Sequence, residues 1–165
     1  MAASTLDAYL ASFETGGDPL RADIAATVRS LASAALQIRK TISEGAMGAA
    51  FAAAKGSANA DGDIQKELDV HADEIFLAAS RAAPISWYAS EELSEPVLLN
   101  PEARVAIAID PLDGSSNIDT NVSIGTIFSL QPTLADDKAT FSQTGAAQLG
   151  AGFFIYGPQL ALVLT

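Results

Sequence analysis

The stretch RVAIAIDPLDGSSN, residues 104–117, decides how this sequence folds. Its first half is an unbroken run of apolar residues, which is typical of a central strand covered on both faces. Asp110 ends this run and Pro111 follows at once. Because proline has no N–H to donate, we expect strand pairing to stop there. The DPLDG segment has strong turn chemistry, so the sequence predicts a buried strand that delivers two aspartates into one turn.

Apolar spacing on either side of this strand predicts helices before it and further strands around it. From Leu20, apolar residues recur at three- and four-residue steps, which indicates a long helix that follows an Asp18 N-cap and ends near Gly45. A second helix is expected at about residues 64–80. Five segments have the pattern of strands: PISWYAS, RVAIAID, VSIGTIFSL, AAQLGAGFFIY and LALVLT. Helices followed by strands predict an α+β fold, with helices layered on a mostly antiparallel β-sheet in a single domain, 1–165.

Composition limits the classes of protein that remain. The chain has 165 residues, 49% of them apolar and 18% charged, which is typical of a globular domain. A formal net charge of −11 argues against a nucleic-acid partner. No cysteine, signal peptide or membrane-spanning segment is found, so we expect a cytoplasmic protein without a membrane partner. The end on LALVLT suggests a cut through a larger protein, whose exposed apolar surface favours association into a homo-oligomer.

The acidic turn favours a metal and phosphate site. Asp110 and Asp113 would repel each other unless a cation lies between them, and oxygen ligands suit Mg²⁺. Gly114 would allow close approach of the backbone, and Ser115, Ser116 and Asn117 would leave successive N–H groups free to contact an anion. The alternative is structural: a turn aspartate, a capping aspartate and an ordinary Ser-rich N-cap.

Two further acidic groups carry the same ambiguity. Glu91 and Glu92 follow an expected strand, and adjacent strand residues point to opposite faces, so one could bind a metal while the other handles a proton. The alternative is a solvated acidic loop. In DGDIQKELD, Asp63 lies where the loop meets the second helix and could be merely an N-cap. Asp69 and Asp73 are four residues apart on one helix face, so either water screens them or Asp69 faces a cation.

Taken together, these segments resemble a known family. DPLDGSSNIDTNVSIGTIFSL resembles the metal-binding signature of class I fructose-1,6-bisphosphatases. GSANADGDIQKELDVHADEIF is similar to the family's loop-helix segment, and ASEEL to its Ser-Glu-Glu motif. The shorter D-P-[LI]-D-G core occurs across the lithium-sensitive, magnesium-dependent sugar and inositol phosphatases. The resemblance covers most of this chain but only the first half of a typical member, the N-terminal domain of the sugar-phosphatase fold.

The resemblance implies a cofactor and its ligands. Two or more Mg²⁺ ions are expected per site, with Mn²⁺ as a substitute. Glu91 and Asp110 would bind the ions, with Asp110 shared between two of them. Leu112 would contribute its backbone carbonyl, and Asp113 would complete a second ion site. Glu92 would be a further carboxylate for metal or proton.

The resemblance also implies catalytic and substrate contacts. Asp63 would lie in a mobile loop that closes over the site, and Asp69 would position or deprotonate the attacking water. The segment that matches the family's contacts to the sugar and the transferred phosphate contains four residues: Asp113, Gly114, Ser115 and Ser116.

The implied activity is Mg²⁺-dependent hydrolysis of the 1-phosphate of fructose 1,6-bisphosphate, in gluconeogenesis or the Calvin cycle, by a homotetramer. The family's other metal-binding glutamate and its Lys, Tyr and Arg contacts lie beyond Thr165, so this chain alone is expected to be nearly inactive. ETGGDPLRADI occupies the place of the nucleotide-inhibitor segment, which leaves regulation by AMP open. Alternatives are a sedoheptulose-bisphosphatase, an inositol phosphatase, a non-catalytic metal- or phosphate-binding module, and a structural domain whose acids are caps.

Overall fold

The computed structural model describes residues 5–54, 61–114 and 124–165, apart from the side chains of 44–54 and 61–67. This part of the chain contains four α-helices: α1 (Leu6–Phe13), α2 (Pro19–Ala54), α3 (Asp61–Arg81) and α4 (Asp137–Phe141). It contains six strands: β1 (Ile85–Ser90), β2 (Val97–Leu98), β3 (Val105–Asp113), β4 (Ile124–Pro132), β5 (Gly150–Tyr156) and β6 (Leu160–Leu164). The predicted α+β class is confirmed, and all five predicted strands form, although β5 begins at Gly150 rather than Ala146 because Gly145–Ala147 form a 3-10 helix. The two residues of β2 are too few to carry a sequence pattern.

The six strands form one sheet in the order β2-β1-β3-β4-β5-β6. All neighbours are antiparallel except β1 and β3, which are parallel. The prediction of a mostly antiparallel sheet is therefore confirmed. Because β1 and β3 are parallel, their carboxyl ends lie at the same edge of the sheet.

The end of α2 and the start of α3 differ from the sequence prediction, whereas the start of α2 agrees with it. Asp18 accepts a hydrogen bond from the N–H of Leu20 at 2.9 Å, which confirms its capping role ahead of Pro19. The prediction that α2 ends near Gly45 is wrong, since the helix continues to Ala54 through an alanine-rich segment with high helix propensity. Helix α3 begins at Asp61, so Asp63 lies inside its first turn rather than at the N-cap.

The hydrophobic core lies between α2, α3 and one face of the sheet. Val28 and Leu31 of α2 and Phe76 of α3 are fully buried there. The Phe154 ring packs against Phe76 and Phe128, with ring centroids 6.5 and 5.7 Å apart respectively. Aromatic pairs at these distances add to the burial of apolar area. In the described segments, no helix is both long and apolar enough to cross a bilayer.

Strand β3 occupies the centre of this arrangement, as predicted. Val105, Ile107 and Ile109 face the helices and are buried. On the opposite face Ala106 is buried but Ala108 is only half-buried, so the expectation of two covered faces holds for part of the strand.

The prediction that pairing stops at Pro111 is wrong. The strand continues to Asp113, which pairs with Gly125 of β4 after a shift of register between Asp110 and Asp113. A bulge of this kind explains the continuation, because the residue that leaves the ladder needs no N–H to donate. The carbonyl of Pro111 accepts a hydrogen bond from the hydroxyl of Thr126 at 2.8 Å instead.

Candidate active site

The parallel pairing of β1 and β3 brings two acidic segments to one edge of the sheet. Ser90 is in register with Ile109, and the N–H of Glu91 donates to the carbonyl of Ile109 at 3.1 Å. Glu91 therefore lies beside Asp110, the next residue of β3. Glu92 follows, and its N–H donates to the hydroxyl of Ser90 at 3.2 Å. The sequence predicted that each strand ends in carboxylates, and the parallel register explains why they meet.

Asp110 lies in an acidic environment. Burial raises the pKa of its carboxyl group, and the charges of Glu91, Asp113 and Asp69 raise it further. A hydrogen bond from the N–H of Leu112, at 3.2 Å from Oδ1, acts in the opposite direction on this pKa. Since each of these three acids acts on Asp110 through its charge, β1, β3 and α3 all contribute to a single site.

Glu92 also lies in an acidic environment. Desolvation raises the pKa of its carboxyl group, followed by the charges of Asp69, Glu91, Asp73 and Asp110. Among the residues that the structure describes, the charged side chains that shift the pKa of Asp110 or Glu92 are all acids. Like charges held together at the edge of a sheet favour protonation or a bound cation.

Helix α3 contributes Asp73, a buried acid whose environment the sequence does not reveal. Asp69 is half-buried, whereas Asp73, one turn further along, is 6% exposed. The hydroxyl of Tyr88 on β1 donates to Oδ1 of Asp73 at 2.8 Å. A tyrosine in a buried strand needs a hydrogen-bond partner for its hydroxyl. Tyr88 is therefore the feature of the sequence that indicates a polar partner on a neighbouring element.

At the end of β3 the chain turns away from the sheet. Asp113 is exposed, and Gly114 follows with φ of 78°, in the left-handed region that favours glycine. The predicted substrate contacts Ser115 and Ser116 lie outside the described residues, as does the side chain of Asp63.

The donor set of this edge suits a hard divalent cation, because it consists of carboxylate oxygens that repel one another. Within residues 5–54, 61–114 and 124–165, however, no three side chains of His, Cys, Asp or Glu lie close enough to one another to hold a metal ion. The assignment of Glu91, Asp110, Leu112 and Asp113 to metal binding stays a prediction.

The fold and this edge define a class: an α+β domain in which a parallel strand pair and a helix bring acidic side chains to one end of a mainly antiparallel sheet. A family model described as the N-terminal domain of fructose-1,6-bisphosphatase matches residues 8–165. The chain belongs to the fructose-1,6-bisphosphatase family, which confirms the resemblance.

Relatives support this assignment over the whole chain. The class 1 fructose-1,6-bisphosphatase of Rhizobium meliloti (strain 1021) is 57% identical over 169 residues, covering 100% of this chain and 48% of its own length. The enzyme of that name from Azorhizobium caulinodans is 49% identical over 168 residues, covering 99% of this chain and 51% of its own. The chain thus spans about half the length of the curated relatives it matches. The name these relatives share is that of a phosphoric monoester hydrolase.

Solved structures show the same fold. Leishmania major fructose-1,6-bisphosphatase in its T-state superposes with a TM-score of 0.79 at 25% identity, covering 100% of this chain and 52% of its own. The holo form from the same organism gives a TM-score of 0.75 at 26% identity, covering 100% of this chain and 48% of its own. The α+β fold is therefore that of the fructose-1,6-bisphosphatases.

Proposed function

We propose that this chain supplies the acidic part of an active site for Mg²⁺-dependent hydrolysis of the 1-phosphate of fructose 1,6-bisphosphate. The observation that carries the proposal is the parallel register of β1 and β3, which brings Glu91 beside Asp110. Acidic side chains that follow β1, end β3 and lie on α3 raise the pKa values of Asp110 and Glu92. Such a cluster of like charges is suited to a divalent cation and a phosphate ester. The names of the curated relatives support the substrate.

In this proposal the residues at the end of β3 would hold the metal ions and contact the phosphate. Asp110 and Asp113 would hold the ions together with Glu91 and the backbone carbonyl of Leu112. The bound ions would supply Lewis-acid stabilisation of phosphoryl oxygens and a water of lowered pKa. Gly114 has a positive φ of 78° and would contact the phosphate together with Asp113, Ser115 and Ser116.

Two carboxylates would handle water and protons. Glu92 has a raised pKa, which suits a group that exchanges a proton near the reacting phosphate. Asp69, on α3, acts on both Asp110 and Glu92 through its charge, and it would orient or deprotonate the attacking water. Asp63 would contribute from the first turn of the same helix.

The finer functional assignments belong to the same proposal. The reaction would serve carbohydrate metabolism in the cytoplasm, in gluconeogenesis or the Calvin cycle, within a homo-oligomer that is a tetramer in the family. This chain alone would be nearly inactive, because it spans about half the length of the curated relatives it matches.

Calorimetric titration of the purified chain with Mn²⁺ tests the ion site. We expect binding by the wild-type chain, a strong loss in the Asp110→Asn/Asp113→Asn double variant, and no change in Glu102→Gln. Glu102 is an exposed acid outside the cluster, so it controls for the loss of one charge. Equal affinities in all three proteins would contradict the proposal.

Activity requires a longer protein. Joining this chain to the part of the Rhizobium meliloti relative that it does not cover would restore a full-length chain. We expect the chimera to release phosphate from fructose 1,6-bisphosphate in preference to sedoheptulose 1,7-bisphosphate and inositol phosphate. Ion binding without any hydrolysis by the chimera would favour a non-catalytic metal-binding module.

A further inference from the structure

A buried hydrogen bond joins α3 to β1 behind the acidic edge. The hydroxyl of Tyr88 lies 2.8 Å from Oδ1 of Asp73 and 3.5 Å from the carbonyl oxygen of Asp73. Tyr88 is fully buried and Asp73 is 6% exposed. Burial and the charge of Asp73 raise the pKa of Tyr88, so its hydroxyl keeps its proton and remains a donor.

The two partners lie close to the site acids along their own elements. Asp73 is one helical turn from Asp69, about 6 Å along the α3 axis. Tyr88 precedes Glu91 by three residues, roughly 10 Å along an extended chain.

A polar pair at this position restricts how α3 can sit on β1. Apolar contacts tolerate small shifts along a helix, whereas a buried carboxylate that loses its donor carries the full cost of its desolvation. A shift of α3 that moved Asp69 away from the strand ends would break this hydrogen bond. Buried polar groups that are fully satisfied select one arrangement of the elements they join.

We propose that Tyr88 and Asp73 are positioning residues, whose hydrogen bond sets the place of α3 on β1 and thereby holds Asp69 beside Glu91 and Glu92. The inference rests on the proposed function only in taking those three acids as parts of one ion-binding site. Neither Tyr88 nor Asp73 is assigned a contact with substrate or ion.

The test compares three variants of the chain by Mn²⁺ titration. Tyr88→Phe removes the hydroxyl and keeps the ring, and we expect it to weaken Mn²⁺ binding by about 10- to 100-fold, as for other groups that orient metal ligands. Asp73→Asn keeps an acceptor oxygen for Tyr88, so affinity should remain near the wild-type value. Asp73→Leu removes the acceptor and should resemble Tyr88→Phe.

Ser86→Ala is the matched control on the same strand. Ser86 is a buried hydroxyl at the other end of β1, bonded to the carbonyl of Val105 at 3.1 Å and to the hydroxyl of Thr133 at 2.6 Å. Its removal should lower the free energy of unfolding without changing Mn²⁺ affinity. If Tyr88→Phe and Ser86→Ala lose similar stability and both keep wild-type affinity, the pair is merely structural and the inference is wrong.

Hydrogen exchange separates this inference from the proposed function. In Tyr88→Phe we expect faster amide exchange in the part of α3 around Asp69 and Asp73, and in Ser86→Ala none there. A wild-type chain that binds no Mn²⁺ would overturn the ion site, while this exchange comparison would still decide whether the pair positions α3. Unchanged exchange in α3 would overturn the positioning role.

Discussion

Thr126 of β4 donates a hydrogen bond to the carbonyl of Pro111, at 2.8 Å, inside the bulge of β3. The hydroxyl of Tyr156 lies 2.7 Å from the same threonine oxygen. A threonine hydroxyl has a single proton, which goes to Pro111, so Tyr156 must donate to Thr126. All three groups are buried. This chain of hydrogen bonds supports the peptide between Asp110 and Asp113 from the core side.

Replacing Thr126 by valine should destabilise the chain and loosen this bulge. The substitution keeps the shape of the side chain but leaves the Pro111 carbonyl and the Tyr156 hydroxyl without partners, so we expect a loss of about 1–3 kcal/mol in the free energy of unfolding. Urea unfolding measures this loss. Tyr156→Phe should cost less, because the bond from Thr126 to Pro111 survives. A Thr126→Val chain as stable as wild type would show that the bulge does not depend on this hydroxyl.

The sequence predicted the parts of this fold that depend on local periodicity. Apolar residues recur every three to four residues in α2 and α3, and they alternate or run continuously in five strands. The sequence also predicts carboxylates at the ends of β1 and β3, but the meeting of Glu91 with Asp110 depends on the parallel pairing of these strands, which has no local signal. The continuation of β3 past Pro111 was missed because a bulge depends on Thr126 of another strand. The hydrogen bond between Tyr88 and Asp73 was missed for the same physical reason: side chains that pair across elements leave no periodic signal.

Asp110→Asn should make the ion-free chain more stable at neutral pH. Because the pKa of Asp110 is raised above its ordinary 3.8, the folded chain binds this proton more tightly than the unfolded chain. The contribution of Asp110 to stability therefore falls as pH rises from about 4 through the raised pKa. Asparagine removes this penalty, and its amide oxygen can still accept from the N–H of Leu112.

Thermal unfolding from pH 4 to pH 8, with and without Mn²⁺, measures both effects. We expect a shallower decline of Tm with pH in Asp110→Asn, together with a weaker stabilisation by the ion. Glu102→Gln should follow the wild-type curve. A variant that melts below wild type at pH 7 without the ion would show that Asp110 is not strained by its neighbours.

Gly152→Ala should disrupt the sheet where β5 meets β4 and β6. A Cβ at Gly152 would lie 2.7 Å from the carbonyl oxygen of Val163 and 2.8 Å from Cζ of Phe128. The backbone contact cannot relax without moving β6, so we expect a loss of about 1–3 kcal/mol, typical of overpacking. Gly145→Ala is the control, because nothing lies within 4 Å of the added carbon. Equal urea midpoints for both variants would contradict this interpretation of the packing.

The open face of the sheet should make this chain bind hydrophobic dyes and self-associate. Ile127 is paired with Phe153, and Phe153 with Val163, so the three side chains lie side by side. Their exposed fractions are 50%, 40% and 47% respectively. A contiguous apolar row of this kind favours association over exposure to water.

Phe153→Lys interrupts this row at its centre and should reduce both dye fluorescence and the concentration dependence of sedimentation. Leu36→Lys is the matched control, since Leu36 is 59% exposed but lies on α2, against the other face of the sheet. It introduces the same charge without touching the row, so it should leave both signals near the wild-type values. Association that is equally weakened by the two substitutions would point to net charge rather than to this apolar row as its cause, because a chain with a formal charge of −11 responds to any added lysine.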